Sequence, residues 1–117
     1  MGKVLERIEK LITEGYCDSR GAAACASIIS LPGWESKFRI VLMCVKDGYL
    51  NFYETDIKNN IGNRVASVEI SKAENFVFKA NIWTQVLAFD YEGQHYEFTN
   101  FGNQKIFKQV FEEERSK

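Results

Sequence analysis

A turn dipeptide between two apolar runs constrains the fold of this chain more than any other stretch. Residues 38–55 have the sequence FRIVLMCVKDGYLNFYET. Asp47-Gly48 supplies two residues that tolerate the positive φ angles of a type I′ hairpin turn. A two-residue turn at this point pairs Lys46 with Tyr49 and continues outward in antiparallel register. The sequence therefore predicts a β-hairpin whose register is set by its turn.

Side-chain alternation gives this hairpin two apolar faces. The first face carries Val41, Met43, Val45, Leu50 and Phe52. The second carries Phe38, Ile40, Leu42 and Cys44 opposite Asn51 and Tyr53. A strand surface this apolar is rarely left in water. We expect the first face to be core, and the second to be covered by another element or by a partner.

An amphipathic helix over residues 3–14 is the nearest element that could cover the second face. Its apolar stripe consists of Val4, Leu5, Ile8, Leu11 and Ile12. Gly15 follows as a C′ residue that ends the helix. The small residues at 22–26 would allow a helix to approach the first strand closely. We expect the helix to pack on the outside of the sheet, in its own chain or swapped onto a neighbour in a homodimer; a free partner-binding helix is the alternative.

A second hairpin is predicted over residues 83–99, with Glu92-Gly93 at its tip. This turn pairs Asp90 with His95 and leaves the only histidine on a solvated face. We interpret His95 as one half of a surface ion pair, not as a catalytic or metal-binding residue.

The complete pattern predicts seven strands and two helices. The strands are placed at 22–31, 37–46, 49–55, 64–71, 74–80, 83–91 and 94–99, and the closing helix at 103–115. Between them, residues 56–63 are expected to form a mobile loop anchored by Ile57 and Ile61. Asn100 or Asn103 could cap the closing helix, and its acidic end, residues 112–114, is expected to fray in solvent. We divide the chain into a helix (1–15), a domain (22–115) and a frayed tail (116–117).

Composition narrows the classes of function. The chain has 117 residues and a net charge of -1, which gives no basic excess for nucleic acid. Its three cysteines lie at no metal-ligand spacing and are expected to be reduced thiols. No signal peptide or apolar run of about 18 residues is present, so we expect a cytoplasmic protein. We expect no enzyme activity, cofactor or metal, because one exposed histidine and scattered acids do not form a catalytic group.

The order of elements resembles a known superfold. Seven antiparallel strands precede a closing helix, and residues 91–113, YEGQHYEFTNFGNQKIFKQVFEE, resemble the end of bacterial pleckstrin-homology-like (PH-like), GRAM-type domains. The resemblance implies an α+β, mainly β fold: a partly closed seven-stranded antiparallel barrel with a C-terminal capping helix. Lys37-Phe38-Arg39 matches only the second half of the basic cluster by which phosphoinositide-binding members hold headgroups. The tryptophan of their closing helix is absent.

Two functions follow as hypotheses. The first is a non-enzymatic protein-interaction or assembly module that binds a protein partner or a second copy of itself. Its interaction surface would comprise Ile40, Leu42, Tyr53, Leu5, Ile8, Ile12 and Trp34. The alternative is weak binding of an anionic lipid headgroup or a small anionic ligand by the 56–64 loop and its neighbours. The basic residues for that role would be Lys37, Arg39, Lys58 and Arg64.

Overall fold

The computed structural model describes residues 2–56, 58 and 60–117, with side chains from residue 7 onward. The predicted anchor Ile57 and the side chain of Leu5 lie outside the described residues. The helices are α1 (Gly2–Thr13) and α2 (Gln104–Arg115), and a 3₁₀ turn spans Ile70–Lys72. The strands are β1 (Ala23–Ser30), β2 (Ile40–Lys46), β3 (Tyr49–Thr55), β4 (Ile61–Glu69), β5 (Glu74–Ala80), β6 (Gln85–Tyr91) and β7 (Gln94–Thr99). The predicted α+β, mainly β class is confirmed.

The strands form one antiparallel sheet in the order β4-β3-β2-β1-β7-β6-β5. The edge strands β4 and β5 are consecutive in the chain, and the 3₁₀ turn joins them. Within the described ranges these two strands do not pair with each other, so the sheet is not closed. No helix among the described residues is long and apolar enough to cross a membrane.

Both predicted hairpins have the register that their turns specify. In the β2–β3 hairpin, Lys46 pairs with Tyr49, and Asp47 and Gly48 have φ angles of 51° and 87°. In the β6–β7 hairpin, Asp90 pairs with His95, and both turn residues again have positive φ. Two successive positive φ angles match the twist of the flanking strands, which is why a two-residue turn can fix the pairing of a whole hairpin.

The main core lies between the inner face of the sheet and α2. The predicted first face of the β2–β3 hairpin belongs to it, and the Phe52 and Phe98 rings stack with centroids 4.8 Å apart. Helix α2 contributes Phe107, Val110 and Phe111 to the same cluster. Burial of these large side chains supplies most of the apolar free energy of the fold.

A second cluster covers the outer face of the β2–β3 hairpin. Leu11 of α1 packs there with the buried Leu42 and Cys44, and Tyr16 meets Tyr53 edge to face at 5.1 Å. The helix therefore docks on its own chain, which is the first of the two predicted arrangements. Gly15, at φ 84°, ends α1 as predicted, and the amide of Tyr16 donates to the carbonyl of Leu11 at 2.9 Å.

Strand β4 begins earlier than the sequence predicts, at Ile61 instead of residue 64. The carboxylate of Asp56 accepts hydrogen bonds from the amides of Lys58 (2.8 Å) and Asn60 (2.9 Å). This Asx-type turn reverses the chain in fewer residues than the predicted loop of 56–63.

The caps and acidic end of α2 also differ from expectation. Asn103 occupies the predicted N-cap position, but its side chain does not cap the helix. The side-chain Nδ2 instead donates to the carbonyl of Gly21 at 2.8 Å. The expectation that residues 112–114 are solvated is wrong for Glu114, whose side chain is 5% exposed. Arg20 lies 2.9 Å from Glu114 and 2.7 Å from Asp18, so a guanidinium between two carboxylates compensates the buried charge.

Candidate interaction surface

The four predicted anion-binding residues do not meet in one cavity. Arg39 is already engaged, because its guanidinium donates to the carbonyls of Ile28 and Ile29 at 3.2 Å each. Lys37, Lys58 and Arg64 are exposed on three separate segments. None of the four lines any of the three cavities described below.

The predicted interaction surface is largely covered within the chain. Leu42 is 1% exposed beneath α1, and Ile12 and Tyr53 pack against the same outer cluster. Ile40 and Ile8 are half-buried. Trp34 packs against the main core, where its ring nitrogen is buried without a hydrogen-bond partner. A partner could reach most of these side chains only if α1 moved away.

The cysteines beneath α1 are poor nucleophiles. Burial, together with the charge of Asp18, raises the pKa of Cys17 to about 11, and burial raises the pKa of Cys44 further. Only the thiolate form reacts or binds metal readily. Within the described residues no three His, Cys, Asp or Glu side chains are grouped as metal ligands.

His95 has the partner that the sequence predicts. Its Nδ1 lies 2.8 Å from Asp90 and its Nε2 lies 3.0 Å from Glu97, and both carboxylates raise the pKa of the imidazole above its ordinary value of 6.5. Ser30 donates its hydroxyl hydrogen to the His95 carbonyl instead of to the ring. With both ring nitrogens held by carboxylates, this group has no free nitrogen to act as a base toward a nucleophile.

Among the side chains that the structure describes, the most exposed large apolar ones lie at the turn between β5 and β6. Ile82 is 85% exposed and Trp83 is 86% exposed. Asn81 holds this turn, since its side-chain oxygen accepts hydrogen bonds from the amides of Trp83 and Thr84 at 2.8 Å each. The turn is therefore ordered, and it presents two large apolar groups to solvent. We call Ile82 and Trp83 the apolar tip.

A groove lies beside β5. It is lined by Phe76 and Phe78 of the edge strand and by Lys108, Phe111, Glu112 and Arg115 of α2, and its volume is about 270 Å³. Phe111 contacts both strand aromatics, with ring centroids 5.1 and 5.5 Å apart. The Arg115 guanidinium lies 4.5 Å from the ring centre of Phe76. The groove thus runs between α2 and the unpaired edge of the sheet.

The unpaired edge of β5 is short. Asn75 has a φ of 52°, and the register with β6 shifts between Glu74 and Val77, which is the pattern of a β-bulge. Arg115 donates to the carbonyl of Ala73 at 2.9 Å and so covers the start of the strand. On the side of β5 that faces away from β6, the backbone groups of Phe76 to Ala80 have no neighbouring strand among the described residues. About five residues of edge are available for pairing.

Sequence reasoning missed this surface. The predicted strand 83–91 includes Trp83, and alternation from Leu87 and Phe89 would then direct the tryptophan inward. Asn81 was available as a signal, because an Asn two residues before a candidate strand can form an Asx turn and delay its start. Comparison of the chain with protein-family models, curated proteins and solved structures returned no match.

Proposed function

We propose that this chain is a non-enzymatic protein-interaction module of the PH-like superfold. Its occupant is an extended peptide segment of a partner protein, which adds a strand to β5. The observation that carries the proposal is the apolar tip, where two adjacent large side chains are each more than 80% exposed on an ordered turn. Apolar groups in this arrangement mark interaction sites.

Backbone pairing would supply the general affinity for such a segment. The edge from Phe76 to Ala80 offers donors and acceptors that no described strand uses. An added strand satisfies these groups whatever its sequence, as in other cases of β-augmentation. Five residues of edge span roughly 17 Å at about 3.3 Å per residue, which matches a short linear segment.

The groove and the tip would supply specificity. Alternate side chains of an added strand face the same side, so two apolar residues at positions i and i+2 would lie over Phe76 and Phe78. Lys105 and Lys108 lie on one stripe of α2 with Arg115, and Glu112 is the acid on that stripe. This balance favours a segment that also carries acidic residues. The apolar tip would pack against the end of the segment.

A display library of random nine-residue peptides tests the proposal. We expect selected peptides to have apolar residues at alternate positions and a net negative charge. Binding of a labelled selected peptide should weaken about tenfold or more in Trp83→Ala and in Lys108→Glu. The matched control is Val65→Ala on β4, the other edge strand, where Val65 is 38% exposed.

Hydrogen exchange locates the peptide independently of these variants. We expect new protection of amides in residues 76–80 and no change in β4. Protection confined to β4 or α1, or peptides whose affinity is the same in all three variants, would disprove this mode of binding. A module that selects no peptide and forms a dimer with β5 protected would show that the occupant is a second copy.

A further inference from the structure

A second cavity lies between α1 and the start of β4, and it carries an inference independent of the proposed function. Its volume is about 330 Å³. Arg7 and Lys10 line it from α1 and Glu14 from the turn that follows, and Asn60 and Ile61 line it from the other side. This is near the lower limit of small-molecule sites in size.

Arg7 supplies the cavity with a positive charge and a buried hydrogen-bond donor. Its Nη2 is buried and has no hydrogen-bond partner among the residues that the structure describes. Neither Arg7 nor Lys10 forms an ion pair with any residue that the structure describes. Arg7 itself is half-buried, so one nitrogen of its guanidinium is withdrawn from water without a partner in that part of the chain. Such a nitrogen is costly, and an anion that pairs with the group would offset the cost.

A second unpartnered group lies next to the cavity. The hydroxyl of Thr55, a residue that is 7% exposed, is buried and finds no hydrogen-bond partner in the described part of the chain. Thr55 lines a neighbouring cavity of about 300 Å³ that shares Asn60 and Ile61 with the first. Two orphaned polar groups therefore flank the same two residues, although they belong to different elements.

We propose that this cavity binds a small molecule through a carboxylate or phosphate group. The fork of N–H donors on Arg7 matches the two oxygens of either group, and Lys10 adds a second positive charge. Glu14 is the acid on the cavity wall, so two cations face one carboxylate. Leu11 and Ile61 provide apolar contacts for the rest of the molecule. The bound molecule touches both α1 and the β3–β4 connection and holds α1 against the sheet.

Thermal unfolding of the full chain with anionic probes tests this site. The probes are inorganic phosphate, citrate and glycerol 3-phosphate, each compared with sodium chloride at equal ionic strength. We expect at least one probe to raise the melting temperature in a saturable way, since a ligand that binds only the folded state stabilises it. Arg7→Gln should weaken the apparent affinity about tenfold or more, and Lys72→Gln, the matched control on a lysine whose side chain is 70% exposed, should leave it unchanged.

Two further measurements keep the result unambiguous. NMR signals of Tyr16 and Ile61 should shift on addition of the effective probe in the unmodified chain, which requires no variant to fold. Sedimentation with phosphatidic acid vesicles distinguishes the source: Arg7-dependent binding to vesicles but not to free phosphate identifies a lipid headgroup. Failure of all probes and vesicles to exceed the salt control, or equal responses in Arg7→Gln and the unmodified chain, would overturn the proposal.

Discussion

The β2–β3 hairpin and the β5–β6 hairpin treat apolar side chains in opposite ways. The first is buried on both faces, by the main core on one side and by α1 on the other. The second packs its aromatic residues against α2 but leaves Ile82 and Trp83 almost fully exposed at its turn. The two hairpins differ in neighbours, since β2 lies within the sheet and β5 lies at its edge. Buried apolar side chains are concentrated in the first hairpin, and the second hairpin presents the apolar tip to solvent.

The turns of the two hairpins are also anchored differently. Asp18 accepts a hydrogen bond from the amide of Asp47, and Glu114 lies against Gly48. The first turn is thus tied to both ends of the chain. Among the described residues, the second turn is held by hydrogen bonds between Asn81, Trp83, Thr84 and Gln85, all from its own hairpin. A turn held by its own residues is free to meet a partner without disturbing the core.

Substitution of one aromatic residue in each hairpin should give the sharpest contrast. Phe52→Ala should lower the free energy of unfolding by about 3 to 5 kcal/mol, because it removes a fully buried ring and leaves a cavity. Trp83→Ala should change it by less than about 0.5 kcal/mol, because the side chain touches little. Urea melts measure both values. Equal destabilisation would contradict the division of roles.

The outer face of the first hairpin should depend on α1. Leu11→Ala should cost about 2 to 3 kcal/mol, the low end for a buried leucine, and Thr13→Ala on the exposed side of the helix is the control. Deletion of residues 1–15 should expose Leu42 and Cys44 and increase ANS binding and self-association. Reaction of Cys44 with a thiol reagent should become faster at the same time. A truncated chain with unchanged melting temperature and ANS signal would show that α1 contributes nothing to this face.

Low pH should weaken the contacts of Asp18 and Glu114 beside the turn of the β2–β3 hairpin. Burial opposes ionisation of Asp18 and Glu114, but hydrogen bonds from Arg20 and Lys117 outweigh it, so both pKa values lie below their ordinary values of 3.8 and 4.5. The two ionised carboxylates therefore contribute to the free energy of unfolding above those values. This contribution is lost as the pH falls below about 4.5 and through the folded-state pKa values. Glu114→Gln should cost about 1 to 3 kcal/mol at neutral pH, and the exposed Glu112→Gln should cost little. The pH dependence of unfolding should be flatter in Glu114→Gln than in the control.

Of these residues, His95 should contribute least to the free energy of unfolding. His95→Ala should cost under about 0.5 kcal/mol because the ion pair is exposed to solvent. Its raised pKa means that the contribution is complete below 6.5 and disappears as the pH rises through the folded-state pKa. Urea melts on either side of that range measure the difference. A loss as large as that of Phe52→Ala would mean that the β6–β7 hairpin faces are assigned wrongly.

The sequence could predict the strands because turn dipeptides and alternation act over short distances. Asp47-Gly48 and Glu92-Gly93 each determine one hairpin, and alternation then assigns the buried faces. The covering of Leu42 and Cys44 by α1 was also predictable. The helix has an apolar stripe and the outer face of the first hairpin is apolar, and neither had another packing partner in the sequence-based prediction.

The candidate site was harder to predict because it depends on where strands end and on which edges remain open. Alternation extended through Trp83 would bury it, but the backbone amides of Trp83 and Thr84 donate to Asn81, and the strand begins only at Gln85. The ion pair between Arg20 and Glu114 joins residues that are far apart in the sequence, so no local pattern reveals it. Nor does periodicity show that Arg7 lacks a hydrogen-bond partner, since that depends on the surrounding packing.

The bulge at Asn75 has a consequence for fibril formation. Amyloid growth needs long, flat segments that stack in register, and bulges and short edges prevent this. The kink at Asn75 and the Arg115 side chain over Ala73 together shorten the edge that aromatic-rich β5 presents. One short segment could pair there, but a long in-register stack would find little flat edge to follow. The short, kinked edge therefore makes aromatic-rich β5 a poor template for fibril growth.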